Sequence, residues 1–136
     1  MPSLRWDASL NLGDAMIDRQ HKTLMNLINR AHEASQATDQ DAEITECLTG
    51  MYLYAKEHFF DEEGLMERLG YPDRNAHKTM HKFFVDKTHA LTDGHLEGSL
   101  EMGELIRFLG TWFRQHIAVE DAKILRFASA QGQGTT

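Results

Sequence analysis

The sequence predicts an all-α protein, an up-down-up-down four-helix bundle with an N-terminal arm. Three observations carry this reading. Apolar residues recur at alternating steps of three and four along four separate segments, which is the period of helices that each bury one face. The only prolines, Pro2 and Pro72, fall outside those segments. The connections are too short for crossover returns, and no period-two alternation flanked by turn residues competes for a strand.

The first segment reads Ile17, His21, Leu24, Ile28, Ala31 and Ser35. Asp14 or Asp18 can accept backbone N–H bonds at its start, where a negative charge also suits the helix dipole. The polar run Ser35 to Asp41 ends it. The second reads Ile44, Leu48, Met51, Ala55, His58, Glu62, Leu65 and Leu69, closed by Gly70 in the left-handed position that glycine favours. The third begins between Pro72 and Asn75 and reads His77, His81, Phe84, Thr88, Leu91 and His95, with Thr92-Asp93-Gly94 as its breaker. The fourth follows Ser99 as N-cap and reads Met102, Leu105, Leu109, Trp112 and His116. Such helices of roughly 20 residues are each about 30 Å long. Residues 1–136 form a single domain in this reading, with 1–14 as the arm and 130–136 as a flexible tail.

Composition supports one ordinary folded domain. The chain has 136 residues, 41% apolar and 26% charged, enough to bury a core. Its net charge of −7 and the lack of any Lys/Arg cluster speak against nucleic acid or an anionic membrane surface as partner. No apolar run approaches the roughly 20 residues of a membrane span, and the first residues lack a signal-peptide core. Cys47 stands alone, which excludes an intrachain disulfide and fits a reducing compartment, the cytoplasm by default.

Each seam holds at least one group that belongs in water. Burying an unpaired imidazole or carboxylate costs several kcal/mol against a domain stability of about 5–15 kcal/mol, so something must compensate. The four-residue spacing of His58 with Glu62 and of His77 with His81 puts each pair on one helical face. Together with His21 and His116 they can surround one internal metal site. Asp121 follows His116 by five residues, which on a regular helix turns it roughly 140° away. If both point inward, the backbone must break, tighten or bulge between Ile117 and Glu120.

These residues resemble the hemerythrins, specifically bacterial hemerythrin domains. The matching stretches are Ile17-Asp18-Arg19-Gln20-His21-Lys22-Thr23-Leu24, His58-Phe59-Phe60-Asp61-Glu62-Glu63, Gly70-Tyr71-Pro72 leading to His77-Lys78-Thr79-Met80-His81, and His116-Ile117-Ala118-Val119-Glu120-Asp121. With Trp6 in the arm, the resemblance covers essentially the whole chain. It implies a cofactor of two iron ions, a non-haem di-iron centre that binds dioxygen reversibly. His77, His81 and His116 would hold one iron, His21 and His58 the other, and Glu62 and Asp121 would bridge them. Matched pocket positions make Leu24, Trp112 and Ile117 the walls of an oxygen pocket.

Donor counting agrees. Five imidazoles and two bridging carboxylates supply nine donor atoms. Two octahedral irons need twelve, and an oxo or hydroxo bridge fills two more, leaving one position for a small ligand. The Glu-x-x-His pairs of carboxylate-rich di-iron enzymes are absent, so an oxygen-binding protein is expected rather than an enzyme. Dioxygen is the expected partner, for carriage or storage, or for sensing together with other domains of a signalling protein. The alternatives are a di-iron enzyme acting on peroxide, nitric oxide or ferrous iron, and a structural bundle with fortuitous histidines. Zinc is the nearest rival metal, although seven donors are generous for ions that usually take four ligands each. His32, His89 and His95 read as surface or boundary groups, Asp61, Glu63 and Glu120 as solvated face, Met51 and Met80 as core filling, and Cys47 as inert.

Overall fold

In the computed structural model, residues 11–34 and 40–134 are described, with side chains to Gln131. Residues 1–10 with Trp6, the turn from Ser35 to Asp39, and Thr135 and Thr136 lie outside the described residues. Four helical rods form the molecule. The first is α1 (Ala15–Ala34) and the third is α4 (Arg74–Leu96). The second joins α2 (Gln40–Tyr54) to α3 (Phe60–Leu69) through a π-helical turn, Ala55–Phe59. The fourth joins α5 (Met102–Trp112) to α6 (Ala122–Gly134) through a longer π-helical stretch, Phe113–Asp121. Helix α6 thus continues into the stretch read as a tail.

The helix ends follow from local chemistry. Asp14 Oδ1 accepts the Ile17 N–H at 3.0 Å and caps α1, whereas Asp18, already inside the helix, holds the preceding loop by accepting the Leu12 N–H at 2.8 Å. Gly70 (φ 64°) ends α3, with the Tyr71 N–H returning to the Met66 carbonyl at 3.0 Å. The same device ends α4, two residues beyond the expected breaker: Gly98 takes φ 78° and the Ser99 N–H reaches the Gly94 carbonyl at 2.9 Å. Gly94 therefore lies within the helix. Ser99 closes α4 and does not cap α5, whose N-cap position is held by Glu101 without a side-chain bond.

Packing divides the bundle along its length. Toward one end, Ile28 and Ala31 of α1, Ile44, Leu48 and Met51 of α2, Leu91 of α4 and Leu105 and Leu109 of α5 are buried together. Toward the other end, Met66, Tyr71 and Ile124 make a small second cluster. The Ala55–Phe59 turn adds a residue to the second rod, and the buried position after Glu62 becomes Met66; Leu65 and Leu69, expected in the seam, are half-buried against that cluster.

Candidate metal centre

Among the described residues eight polar side chains are buried, and seven of them are the residues expected as donors. His21, His58, Glu62 and Asp121 are all at most 1% exposed, and His77, His81 and His116 at most 4%. The eighth, Thr88, bonds the Phe84 carbonyl of its own helix at 2.8 Å.

All five imidazoles turn Nε2 toward the two carboxylates. Asp121 Oδ2 lies 2.8 Å from His21 and 3.3 Å from His58, while its Oδ1 lies 3.0 Å from both His77 and His116. Glu62 Oε2 lies 3.3 Å from His58, and its Oε1 lies 2.7 Å from His77 and 3.0 Å from His81. Each carboxylate thus turns one oxygen toward the side of His21 and His58 and the other toward the side of His77, His81 and His116: Asp121 meets two histidines with each oxygen, Glu62 one and two. Two donor groups result, His21, His58, Glu62 and Asp121 on one side and Glu62, His77, His81, His116 and Asp121 on the other, with the donor atoms of each group within 4.8 Å of one another.

The backbone explains how His116 and Asp121 converge. A π-helix carries more residues per turn than an α-helix, so a spacing of five returns to the same face within Phe113–Asp121. The irregularity expected between these residues is present, and α6 resumes at Ala122.

The electrostatics suit bound cations. His116 Nε2 and Asp121 Oδ1 are 3.0 Å apart, yet out of hydrogen-bond direction, and among the described residues neither atom has a hydrogen-bond partner. Both atoms belong to the same donor group, where a shared cation would satisfy them. Burial and the charge of Asp121 oppose ionisation of Glu62, but hydrogen bonds from His58, His77 and His81 prevail and hold it at about 2. Burial likewise opposes ionisation of Asp121, and the close imidazoles of His116, His21, His58 and His77 hold it well below its ordinary range. Burial opposes protonation of His58 and His77 too, but bonds to Asp121 and Glu62 push them up to about 10 and about 9. His116 is lowered, chiefly by burial. In the metal-free chain, protons on two histidines supply positive charge that metal ions would otherwise supply.

The surroundings are aromatic. His81 stacks on Phe59 at 3.9 Å, His116 on Trp112 at 4.0 Å and His58 on Tyr54 at 5.1 Å between ring centroids. Leu24 and Ile117 are buried in the same apolar cluster as Trp112. Sequence reading missed Tyr54 and Phe59 as walls, since aromatic residues in a seam look like ordinary core. It also missed the outer partners of two histidines. His58 Nδ1 lies 2.7 Å from Gln20 Oε1, Gln20 Nε2 donates to Asp61 Oδ2 at 2.7 Å, and His81 Nδ1 lies 2.7 Å from Glu63 Oε2. Asp61 and Glu63 are therefore not merely solvated face. His89 instead meets the Tyr52 hydroxyl and His95 that of Thr45, both at 2.9 Å and away from the cluster; His32 is half-buried on α1. Cys47 is buried, and burial pushes its thiol up to about 12, consistent with an inert side chain. Among the described residues no helix is long and apolar enough to cross a membrane.

Fold and site define a helical bundle with an internal, histidine-rich metal-binding centre. Residues 12–128 match the family model described as hemerythrin HHE cation binding domain, and the chain belongs to the hemerythrin family. It is 35% identical to a bacteriohemerythrin of Pseudomonas aeruginosa (strain LESB58) over 122 residues, covering 90% of this chain and 79% of that protein. It is 33% identical to a bacteriohemerythrin of Methylococcus capsulatus (strain ATCC 33009 / NCIMB 11132 / Bath), covering 89% and 93%. A crystal structure of a hemerythrin mutant with leucine replaced by tyrosine superposes with a TM-score of 0.79 at 31% identity, covering 90% of this chain and 94% of that one.

Proposed function

We propose that this protein binds dioxygen reversibly at a non-haem di-iron centre, for oxygen sensing or for oxygen carriage or storage. The observation that carries the reading is the division of both carboxylates between two histidine sets. A pair of ions bridged by Glu62 and Asp121 accounts for it, with His77, His81 and His116 on one and His21 and His58 on the other. The smaller set leaves its ion a ligand short. When bound, the irons supply two electrons and that open position to dioxygen.

The chain's own residues favour binding over turnover. Phe59, Tyr54 and Trp112 cover the imidazoles, and with Leu24 and Ile117 they exclude the water and protons that drive irreversible oxidation. The Tyr54 hydroxyl accepts the Trp112 Nε1–H at 3.2 Å, and burial keeps its phenol well above its ordinary range, so it is a poor acid at this site. Dioxygen is the partner, joined in a sensing role by other domains of a signalling protein. The buried lone thiol of Cys47 fits the reducing cytoplasm.

The test is to load the protein with iron, reduce it anaerobically, add dioxygen and then remove it under vacuum. Recovery of the reduced spectrum over repeated cycles is expected. Irreversible oxidation, with turnover of peroxide, nitric oxide or ferrous iron, would replace this reading with that of a di-iron enzyme.

A further inference from the structure

The outer nitrogens of His58 and His81 are held by groups of different charge, although the two rings are otherwise alike. Both are buried, both point Nε2 at Glu62, and both are stacked on an aromatic ring. His81 Nδ1–H donates to a carboxylate, Glu63, at 2.7 Å. His58 Nδ1–H donates to a neutral amide, Gln20, at the same distance. On the same side as His58, His21 Nδ1 has no hydrogen-bond partner among the described residues.

A carboxylate behind an imidazole draws its N–H proton outward and makes the opposite nitrogen a stronger donor; an amide does so less. We propose that Glu63 and Gln20 are positioning residues that make the donor set unequal: His81 is a stronger donor on the side it shares with His77 and His116, and His58 and His21 are weaker donors on the other. Asp61 completes the device. By accepting the Gln20 Nε2–H, it leaves only Oε1 to face His58. When a metal ion displaces the Nε2 proton, that arrangement keeps the remaining His58 proton on Nδ1 and leaves the Nε2 lone pair to ligate. A flipped amide would donate to Nδ1 and select the tautomer that cannot ligate.

The consequence is a division of labour. Weak donors favour the lower oxidation state and leave an ion more electrophilic, so the ferrous form persists on the side with the open position. This inference rests on the di-iron reading, yet the donor asymmetry is measurable without iron or oxygen.

Two substitutions exchange the outer groups, Gln20→Glu and Glu63→Gln. In zinc-loaded protein, nitrogen NMR of the imidazoles reads donor character directly. Gln20→Glu is expected to move the His58 Nδ1–H resonance toward the position of His81 in the parent protein, and Glu63→Gln to move His81 the opposite way. In iron-loaded protein, Gln20→Glu is expected to raise the ferric-to-ferrous ratio at fixed ambient potential at least tenfold, about 59 mV for one electron. Glu63→Gln should lower that ratio.

Gln20→Met, similar in length but unable to accept the bond, separates this role from packing. It should weaken zinc binding about 10–100-fold, the range for lost outer partners, while Gln20→Glu retains it. Equal loss in both variants, or unchanged resonances and potentials, would overturn the proposal. If Gln20→Glu fails to load, Glu63→Gln decides alone. Normal NMR shifts with no reversible oxygen binding in the parent protein would instead refute the di-iron oxygen reading and leave the asymmetry standing.

Discussion

The two halves of the bundle use the same helical seam in opposite ways. In one, Leu48, Met51, Leu91, Leu105 and Leu109 fill it, and α1, α2, α4 and α5 pack as regular α-helices. In the other, His21, His58, Glu62, His77, His81, His116 and Asp121 occupy equivalent inward positions, and both π-helical interruptions fall beside them. Apolar side chains tolerate a range of approach, because dispersion and burial depend weakly on direction. Donor atoms that share an ion do not, so the backbone bends to them. The difference shows where the fold is set by packing and where packing yields to coordination.

The largest effect expected is from Asp121→Ala, which removes a carboxylate shared by both donor groups. Metal affinity should fall by more than about 100-fold, beyond the range for outer partners. Metal analysis after gel filtration checks this, and retention of about two ions per chain would detach Asp121 from the centre.

Next comes the π-helical stretch itself. Inserting one alanine after Ala118 turns Asp121 by about 100° and should abolish metal binding. Deleting Ala118 leaves a spacing of four, which a regular helix brings to one face, so binding should survive. Loss in both variants would show that the stretch matters for more than aiming Asp121.

In the apolar half, Leu105→Ala should cost about 2–5 kcal/mol of stability in urea unfolding of the metal-free protein, with metal per folded chain unchanged. A lower metal content there would mean that the halves are coupled more tightly than their contacts suggest.

The subtlest contrast is in pH dependence. Without metal, His58 is raised from 6.5 to about 10, so its stabilising contribution is full below 6.5 and lost as pH rises through about 10. Glu62, lowered from 4.5 to about 2, contributes above 4.5 and is lost as pH falls through about 2. The metal-free protein should therefore weaken between pH 6.5 and 10. Metal competes with the imidazole protons, so added zinc should stabilise more as pH rises over the same range. Thermal unfolding with and without zinc would show the two trends, and parallel curves would contradict the proton-for-metal exchange.

How much of this was legible in the sequence follows the same divide. The bundle and six of the inward-pointing polar groups could be read from spacing, because a polar group in an apolar seam is conspicuous; Asp121, off that face on a regular helix, was legible only through the family resemblance. The bulge near Asp121 followed once both residues were taken to point inward, since a spacing of five cannot share a face on a regular helix. The Ala55–Phe59 turn was not, because Tyr54, Ala55, His58 and Phe59 are all buried and leave no polar mismatch to mark the extra residue. The end of α4 was misplaced because Gly94 resembles a breaker, whereas the left-handed position belongs to Gly98. Gln20, Asp61 and Glu63 look like an exposed face by period, and only the direction of each imidazole shows that Gln20 and Glu63 meet a histidine.

The most direct measurement of the central claim is the crystal structure of the iron-loaded protein with anomalous scattering at the iron edge. Two iron peaks are expected, both touching Glu62 and Asp121, with His77, His81 and His116 on one and His21 and His58 on the other. A single peak, or two irons that share neither carboxylate, would contradict it.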